Sequence, residues 1–380
     1  MASEKRLLNR LRSVDDPALG VDVVTLGLVT DVRVEDGAAA VTLAFDAPLS
    51  PAEWTMCDEV RACCRGLGLD PRIYADADRD RALAPGVKNA VGICADDREA
   101  GAGLVTANLA AALASIGARV GIFDLRFDGG ERTVDGGERT GGGVERTVDG
   151  VERTGRDDDR TAEGDGRTAD GTVRTWVDAV DPPSLSSESI VPPVERGVPV
   201  VRLGPVLPSG DSPPAGDVVF EFVVPSVVEA LEWGRLDYLL VTLPAWGGRA
   251  AELVLEHVPT DGTVVVSSAG TDSERLRAGV RELRALETTV LGAVGTFSSD
   301  GAGAAREWRV GDPEPGCPNL GLVPLDRCAL PPNAVEDRPG SSPDSIPGDG
   351  DHAPYRELAL SVADRVGAAK RQSVVRRQLA

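Results

Sequence analysis

Five short, almost continuous apolar segments lie between residues 91 and 295 of this chain: VGIC, VGIF, YLLV, TVVV and VLGAVG. Stretches with the composition of helices separate them. A strand in a parallel sheet is covered on both faces, so its residues are apolar at successive positions rather than at alternate ones. The chain from residue 89 to 370 is therefore predicted to be an α/β domain: a mostly parallel sheet with helices on both faces.

A smaller α/β unit is predicted to precede this domain, over residues 1–76. It has an opening helix, two alternating strands joined by a turn at Asp36-Gly37, a helix that begins at Pro51, and a third strand in PRIYADA. Residues 77–88, which contain DRDRALAPG, are interpreted as a linker.

Net charge excludes some partners. The formal charge is −21, and 37 arginines stand against three lysines. This balance favours a protein from an extreme halophile, where the Debye length falls to about 3 Å in molar salt. We expect no nucleic-acid binding from so acidic a body. Neither a signal peptide nor a long apolar run is evident, so a cytoplasmic location without membrane binding is expected.

Two segments of low complexity interrupt the larger domain. In residues 129–175 an Arg-Thr pair recurs every seven residues among Gly, Asp, Glu and Val. A coiled coil needs two apolar positions per heptad, which this repeat lacks, so the insertion is predicted to be disordered. Residues 335–354 are predicted to be a mobile loop. After a closing helix, residues 371–380 are interpreted as a short basic, solvated tail.

A strand–loop–helix segment spans Val87 to Leu109 and reads VKNAVGICADDREAGAGLVTANL. Such a frame binds phosphates when glycines expose its backbone N–H groups and a lysine neutralises the charge. Here the loop holds Asp96, Asp97 and Glu99 instead, and the chain has no lysine between Lys88 and Lys370.

The order of these blocks resembles the Mrp/ApbC iron–sulfur cluster carriers, which are P-loop ATPases related to MinD and ParA. The resemblance rests on PGVKNAVGICA, ANLAAALASIGARVGIFD, EWGRLDYLLVTLP, DGTVVVSSAG and LGLVPLD. The run DDPALGVDVVTLGLVTDVRV is similar to the SufT/PaaD-like domain that often precedes them. The resemblance implies a P-loop NTPase-type sheet, together with ATP, Mg and an iron–sulfur cluster.

Residues that the resemblance assigns to ATP are mostly replaced. The family loop reads G-K-G-G-x-G-K-[ST], and ungapped alignment places Ala102 on its phosphate lysine and Gly103 on its Mg-binding Ser/Thr. Gly101 is retained. Asp124 keeps the first position of the family's D-x-D. We name Gly101, Gly103 and Asp124 as the remnant of a nucleotide loop.

Other replacements point the same way. Asp97 stands on the family's first lysine, Arg126 on the second aspartate of D-x-D, and Thr242 on the Walker B aspartate. The family's C-x-x-C is absent from GTFSSDGAGAAREW. In the first unit, Ser50 replaces a cysteine and Ala18 a glutamate.

No separate metal or catalytic centre is predicted. Cys63 and Cys64 are adjacent on a predicted helix, Cys317 and Cys328 lie near the last strand, and the two histidines, His257 and His352, are far apart. Buried or idle thiols are favoured, and no bound metal, catalytic residue or cofactor is expected.

Three functions compete. The favoured hypothesis is a non-catalytic scaffold in iron–sulfur assembly that binds a protein partner, itself or an active Mrp paralogue, through the family's dimer face. The second is a working ATP-dependent carrier in which Arg98 or Arg249 replaces the lost lysines. The third is a MinD/ParA-like positioning protein that uses the basic tail. The last two require ATP beside three carboxylates, and each of those costs about 3 kcal/mol at 5 Å for an effective dielectric near 20.

Overall fold

The computed structural model describes residues 4–75, 86–95, 100–126, 177, 189–203, 223–246, 249–269, 271, 273–298, 316–325 and 353–379. The predicted insertion 129–175, most of the predicted linker and most of the predicted loop 335–354 lie outside these ranges.

The first unit is a three-stranded sheet covered by two helices. Its elements are α1 (Glu4–Leu11), β1 (Val29–Glu35), β2 (Ala38–Leu43), α2 (Pro51–Gly66) and β3 (Asp70–Ala75). Strands β1 and β2 pair antiparallel, and β2 pairs with β3 in parallel. Asp36 and Gly37 both adopt positive φ, 47° and 80°, as a tight hairpin turn requires. The predicted order of helices and strands is therefore confirmed here.

The larger unit contains an eight-stranded sheet in the order β11-β10-β9-β4-β8-β5-β7-β6. Its strands are β4 (Ala90–Ala95), β5 (Val120–Asp124), β6 (Val194–Glu195), β7 (Val198–Arg202), β8 (Tyr238–Thr242), β9 (Gly262–Ser268), β10 (Val290–Phe297) and β11 (Asn319–Pro324). All neighbours pair in parallel except β6 with β7. The predicted mostly parallel sheet is confirmed.

Helices lie on both faces of this sheet. They are α3 (Ala102–Ser115), α4 (Val224–Ala230), α5 (Arg249–His257), α6 (Ser273–Ala285) and α7 (Ala353–Leu379). Leu240 of β8 packs in one core with residues of α3 and α7. Its neighbours Leu239 and Val241 pack in the opposite core with residues of α4, α5 and α6. Both faces of the strand are buried, which explains the continuous apolar runs.

Helix α7 joins the two units through buried charges. Arg371 is 1 % exposed, and it donates from Nε to Asp16 at 2.6 Å and from Nη1 to Glu53 at 2.8 Å. Lys370 contacts Asp46 of the first unit at 2.5 Å and Asp261 of the second at 3.6 Å. Its Nζ also donates to the carbonyl of Lys88 at 2.6 Å.

The prediction of a solvated basic tail over 371–380 was wrong at its first residue and in its conformation. Helix α7 continues to Leu379, Arg371 is buried, and Val375 packs against the core of the first unit. The cause is the pair of acids, Asp16 and Glu53, that meets Arg371 when the first unit packs on α7. These acids are more than 300 residues away in the sequence.

Replacing Arg371 should weaken the whole fold. Arg371→Gln leaves Asp16 and Glu53 buried without their cation, and loss of one member of a buried pair costs about 3–5 kcal/mol. Urea unfolding in high KCl measures this loss. Arg61→Gln is the matched control, because Arg61 pairs with Asp58 on an exposed helix face and should cost under about 1 kcal/mol. Equal unfolding free energies for the two variants would contradict the buried pair.

Glu53 should make stability depend on pH. Burial, opposed by the charge of Arg371, raises the pKa of Glu53 to about 7. The folded state then holds this proton more tightly than the unfolded chain does. Its stabilising contribution is full below the ordinary pKa near 4.5 and is lost as pH rises to about 7. Glu53→Gln should flatten this part of a stability–pH curve measured by urea unfolding. A wild-type minus variant difference that is constant from pH 5 to 7.5 would refute the assignment.

Candidate functional site

The candidate site lies where parallel strands β4, β5 and β8 end, beside the N-terminus of α3. In α/β sheets, ligands bind at this carboxyl edge of the strands. Residues 96–99, which include Asp96, Asp97, Arg98 and Glu99, lie outside the described ranges. The site is therefore built from the residues that flank this loop and from the two neighbouring strand ends.

Gly101 begins helix α3 from a left-handed conformation, with φ of 76° and ψ of 34°. A Cβ atom at this position would lie 2.6 Å from Cδ2 of Leu325, so only glycine fits without a shift. The helix begins at Ala102. Residues Ala102 to Leu113 are all buried, so α3 is a central helix with nearly every side covered.

Arg126 binds Asp124 at the end of β5. Its Nε donates to Oδ1 at 2.8 Å and its Nη2 donates to Oδ2 at 2.6 Å, a two-pronged ion pair. The backbone N–H of Arg126 donates to Oδ1 as well, at 3.1 Å. Arg202 lies 3.8 Å from Oδ2 of the same carboxylate. Two guanidinium groups therefore surround the acid that keeps the first position of the family's D-x-D.

The same guanidinium covers the first turn of α3. A Cβ on Gly103 would lie 1.8 Å from Nη1 of Arg126, so the arginine occupies the space that a side chain there would need. The N-terminal end of a helix carries partial positive charge and favours anions. The Arg126 guanidinium at this end of α3 weakens the attraction of the helix for an anion. The guanidinium is stable there because it is paired with Asp124.

Thr242, at the end of β8, forms a neutral hydrogen-bond chain. Its hydroxyl donates to Oγ1 of Thr106 at 3.1 Å, and Thr106 donates to the carbonyl of Ala102 at 2.9 Å. Both hydroxyls are buried. Thr242 is also the cross-strand neighbour of Asp124. The residue at the position assigned to the Walker B aspartate is thus uncharged, and its hydrogen bond connects β8 to α3.

These contacts allow a test of whether Mg–ATP fits. A P-loop ATPase needs a lysine for the phosphates and a hydroxyl with carboxylates for Mg²⁺. Ala102 and Gly103 offer neither lysine nor hydroxyl, Asp124 is bound by arginine, and Thr242 donates to Thr106. The described residues therefore do not fit Mg–ATP.

The second polar site suggested by the resemblance lies in the first unit, and Ser50 there has become part of the interface between units. Its Oγ accepts from the N–H of Glu53 at 3.2 Å, which caps α2, and it donates to Asp364 of α7. Ala18 lies in a loop ordered by Asp16, whose Oδ1 accepts from its N–H at 2.8 Å. Neither position offers a thiolate or a free carboxylate to a metal.

Among the described residues no group of three or more His, Cys, Asp or Glu side chains could hold a metal ion. The described cysteines are all free thiols, and Cys63, Cys64, Cys94 and Cys317 are buried. Burial raises the pKa of the Cys57 and Cys64 thiols, which opposes the thiolate form that cluster ligation needs. Cys328, His352 and most of the stretch matching the C-x-x-C region lie outside the described ranges.

Sequence reasoning found Gly101, Gly103 and Asp124, and the structure places them around one helix terminus. The sequence did not indicate that Arg126 would pack on the first turn of α3, or that Thr242 would be hydrogen-bonded to that helix. The burial of Arg371 was not predicted either. One signal was present in the sequence, because Arg371 directly follows Lys370, one of only three lysines in the chain.

The chain is similar in sequence to proteins of iron–sulfur cluster assembly. A family model described as iron–sulfur cluster assembly protein matches residues 4–67. The iron–sulfur cluster carrier protein of Synechocystis sp. is 24 % identical over 78 % of this chain and 77 % of its own. The iron–sulfur protein maturation auxiliary factor YitW of Bacillus subtilis is 39 % identical over 16 % of this chain and 60 % of its own.

A solved structure, a nucleotide-binding protein from Archaeoglobus fulgidus in complex with ADP, covers 73 % of this chain and 88 % of its own, with 16 % identity and a TM-score of 0.39. No described helix is long and apolar enough to cross a membrane.

A double-mutant cycle tests the contact between Arg126 and Gly103. Gly103→Ala alone must displace the guanidinium, so it should cost about 1 kcal/mol despite alanine's better helix propensity. In an Arg126→Ala background the same change should be neutral or stabilising by up to about 1 kcal/mol. Chemical unfolding of the four proteins gives the coupling energy. Gly66→Ala, at a glycine with open space around its Cα, is the control and should not couple to Arg126. Additive effects at 103 and 126 would disprove the packing.

Proposed function

We propose that this chain, a relative of the Mrp/ApbC iron–sulfur cluster carriers with an N-terminal iron–sulfur assembly domain, is a non-catalytic scaffold in cluster assembly. The assembly pathway comes from its relatives, which are named as carriers and as a maturation factor. The loss of catalysis comes from this chain's own residues. The single observation that carries the proposal is the Arg126 guanidinium, paired with Asp124 and packed on Gly103.

The electrostatics support this proposal. In a working site, Mg²⁺ neutralises the acidic strand ends and is released or exchanged with the nucleotide. In this chain a covalently attached cation neutralises Asp124, and it does not leave when nucleotide is absent. A nucleotide that arrived with Mg²⁺ would have to break a two-pronged, charge-assisted ion pair. The same guanidinium would also occupy the first turn of α3.

The retained frame supports a binding role. Both faces of the sheet are filled by buried apolar side chains, and the first unit is joined to the second through α7. We propose that this rigid body binds a protein partner, a second copy or an active paralogue through the face that the family uses for dimers. We further propose that its acidic surface suits a cytoplasm of molar salt.

Nucleotide titration tests the loss of ATP binding. Calorimetry with Mg–ATP in high KCl should show no saturable heat, because Ala102 and Gly103 supply neither the lysine nor the hydroxyl of a nucleotide loop and Asp124 is paired with Arg126. Arg126→Ala should not restore binding, since Ala102 and Gly103 still lack the lysine and hydroxyl. A dissociation constant in the micromolar range for the wild type would overturn the proposal. An active relative purified in the same way serves as the positive control.

Cluster reconstitution tests cargo binding separately. After anaerobic incubation with iron and sulfide and then desalting, the protein should keep no charge-transfer absorption. A stable brown protein that loses its colour in the Cys317→Ser variant would show that the chain carries a cluster. That result would contradict the scaffold proposal even if the protein bound no ATP.

A further inference from the structure

The C-terminal end of α7 connects two bodies that each have a core of their own. Side chains of α7 from Tyr355 to Val366 pack in the core of the larger unit, and Val375 packs against the core of the first. In the other direction, Ala47 and Leu49 of the first unit reach the core of the larger one. The strands of the two units form separate sheets. Each unit can therefore keep its sheet and core if the contact between them opens.

A buried charge trio of Asp16, Glu53 and Arg371 lies at this end of α7. Arg371 donates to both carboxylates, but its Nη2 has no hydrogen-bond partner among the described residues. With both acids ionised, two buried anions share one guanidinium. A proton on Glu53 leaves one anion against one cation, and buried charges are tolerated where they are paired. Within the trio, charge is therefore balanced when Glu53 is protonated.

The surroundings of Glu53 are rich in acids. The titratable and charged groups around it come from every element packed there: Arg371, Lys370 and Asp364 of α7, Asp16 and Asp46 of the loops in the first unit, Cys57 of α2, and Tyr238 of β8. Burial, opposed by the charge of Arg371, raises the pKa of Glu53 to about 7, and the negative charge of Asp46 adds to this rise. Glu53 thus changes its charge near neutral pH.

The backbone at the junction is tightly packed and partly strained. Gly367 of α7 lies where the units meet, and a Cβ on it would be 2.8 Å from Oε1 of Glu53 and 2.7 Å from Nη1 of Arg371. Leu49 has a positive φ of 73°, which is costly for a bulky residue. Opening would free Leu49 from the core of the larger unit and let it relax. The closed junction therefore carries a cost that its charge pairing has to offset.

We propose that the charge trio is a proton-controlled contact: the first unit is held on α7 while Glu53 is protonated, and it detaches, with both units still folded, when Glu53 ionises. Opening returns Glu53 to water, so the open state binds this proton less tightly than the closed state does. The junction is closed at acidic pH and opens as pH rises toward and past about 7. This device acts on the bond between the units and does not rest on the proposed scaffold function.

Hydrogen exchange of the full-length protein in high KCl, followed by mass spectrometry, measures the opening peptide by peptide. After correction for the intrinsic pH dependence of exchange, protection of peptides from residues 46–53 and 366–375 should fall about tenfold or more between roughly pH 5.5 and roughly pH 8. Peptides from β2 and β9 should keep their protection, because both sheets stay folded. A uniform fall in all peptides, or no fall at the junction, would overturn the proposal.

Three variants separate the charge of Glu53 from other effects of pH. Glu53→Gln imitates the protonated acid, so the junction peptides should keep their acid-pH protection at the alkaline end of the series. Gly367→Ala places a Cβ between Glu53 and Arg371, so it should lower junction protection even at acidic pH. Glu59→Gln removes an exposed carboxylate from the same helix and should behave as the wild type does.

A fall in junction protection in Glu53→Gln equal to that of the wild type would overturn the proposal, since another group would then control the opening. The same holds if Glu59→Gln abolishes the fall. If Glu53→Gln does not fold, the wild-type pH series still decides, because local opening and general unfolding give different peptide patterns.

Discussion

The structure depends on two consecutive cations of helix α7, Lys370 and Arg371, being buried between its two units. Neither would be stable there alone, because removing a charge from water costs several kcal/mol. Lys370 bridges Asp46 and Asp261, which belong to different units, and Arg371 is held by Asp16 and Glu53. Because each cation contacts two acidic side chains, these cations are fully paired only when both units and the helix are assembled.

Neighbouring contacts extend this interface. The side-chain amide of Asn89 donates to the carbonyls of Asp46 and Asp237, and the hydroxyl of Tyr238 donates to the carbonyl of Pro48 at 2.5 Å. Burial opposes ionisation of Asp237, but hydrogen bonds from Arg119 and Lys88 hold its pKa far below its usual range. Two of the chain's three lysines are therefore at this junction, in a protein that otherwise uses arginine. A compact ammonium group suits sites where one cation must meet oxygens from several directions.

Local patterns in the sequence were sufficient for most of the fold. Apolar runs such as those of β8 and β9 indicated strands buried on both faces, Asp36-Gly37 indicated a hairpin, and Pro51 indicated a helix start. What could not be predicted were contacts between distant residues. Ser50 binds Asp364, and Arg371 binds Asp16, across separations of 314 and 355 residues. Arg126 could be recognised as a departure from a motif, but not as a side chain that would turn back over α3.

Arg126 and Arg371 are each held by acidic side chains inside the protein. At the α3 terminus, Arg126 is paired with Asp124 and packs on the first turn of the helix, and this contact supports the proposed loss of nucleotide binding. At the α7 interface, Arg371 joins the two units through its buried contacts with Asp16 and Glu53. Both pairs are short and wholly or partly buried, so salt screens them less than it screens the acidic surface. Changes in salt should therefore act on encounters between molecules before they act on these internal bonds. These fixed internal contacts support the proposed scaffold role, in which the protein would hold its partners in a constant arrangement.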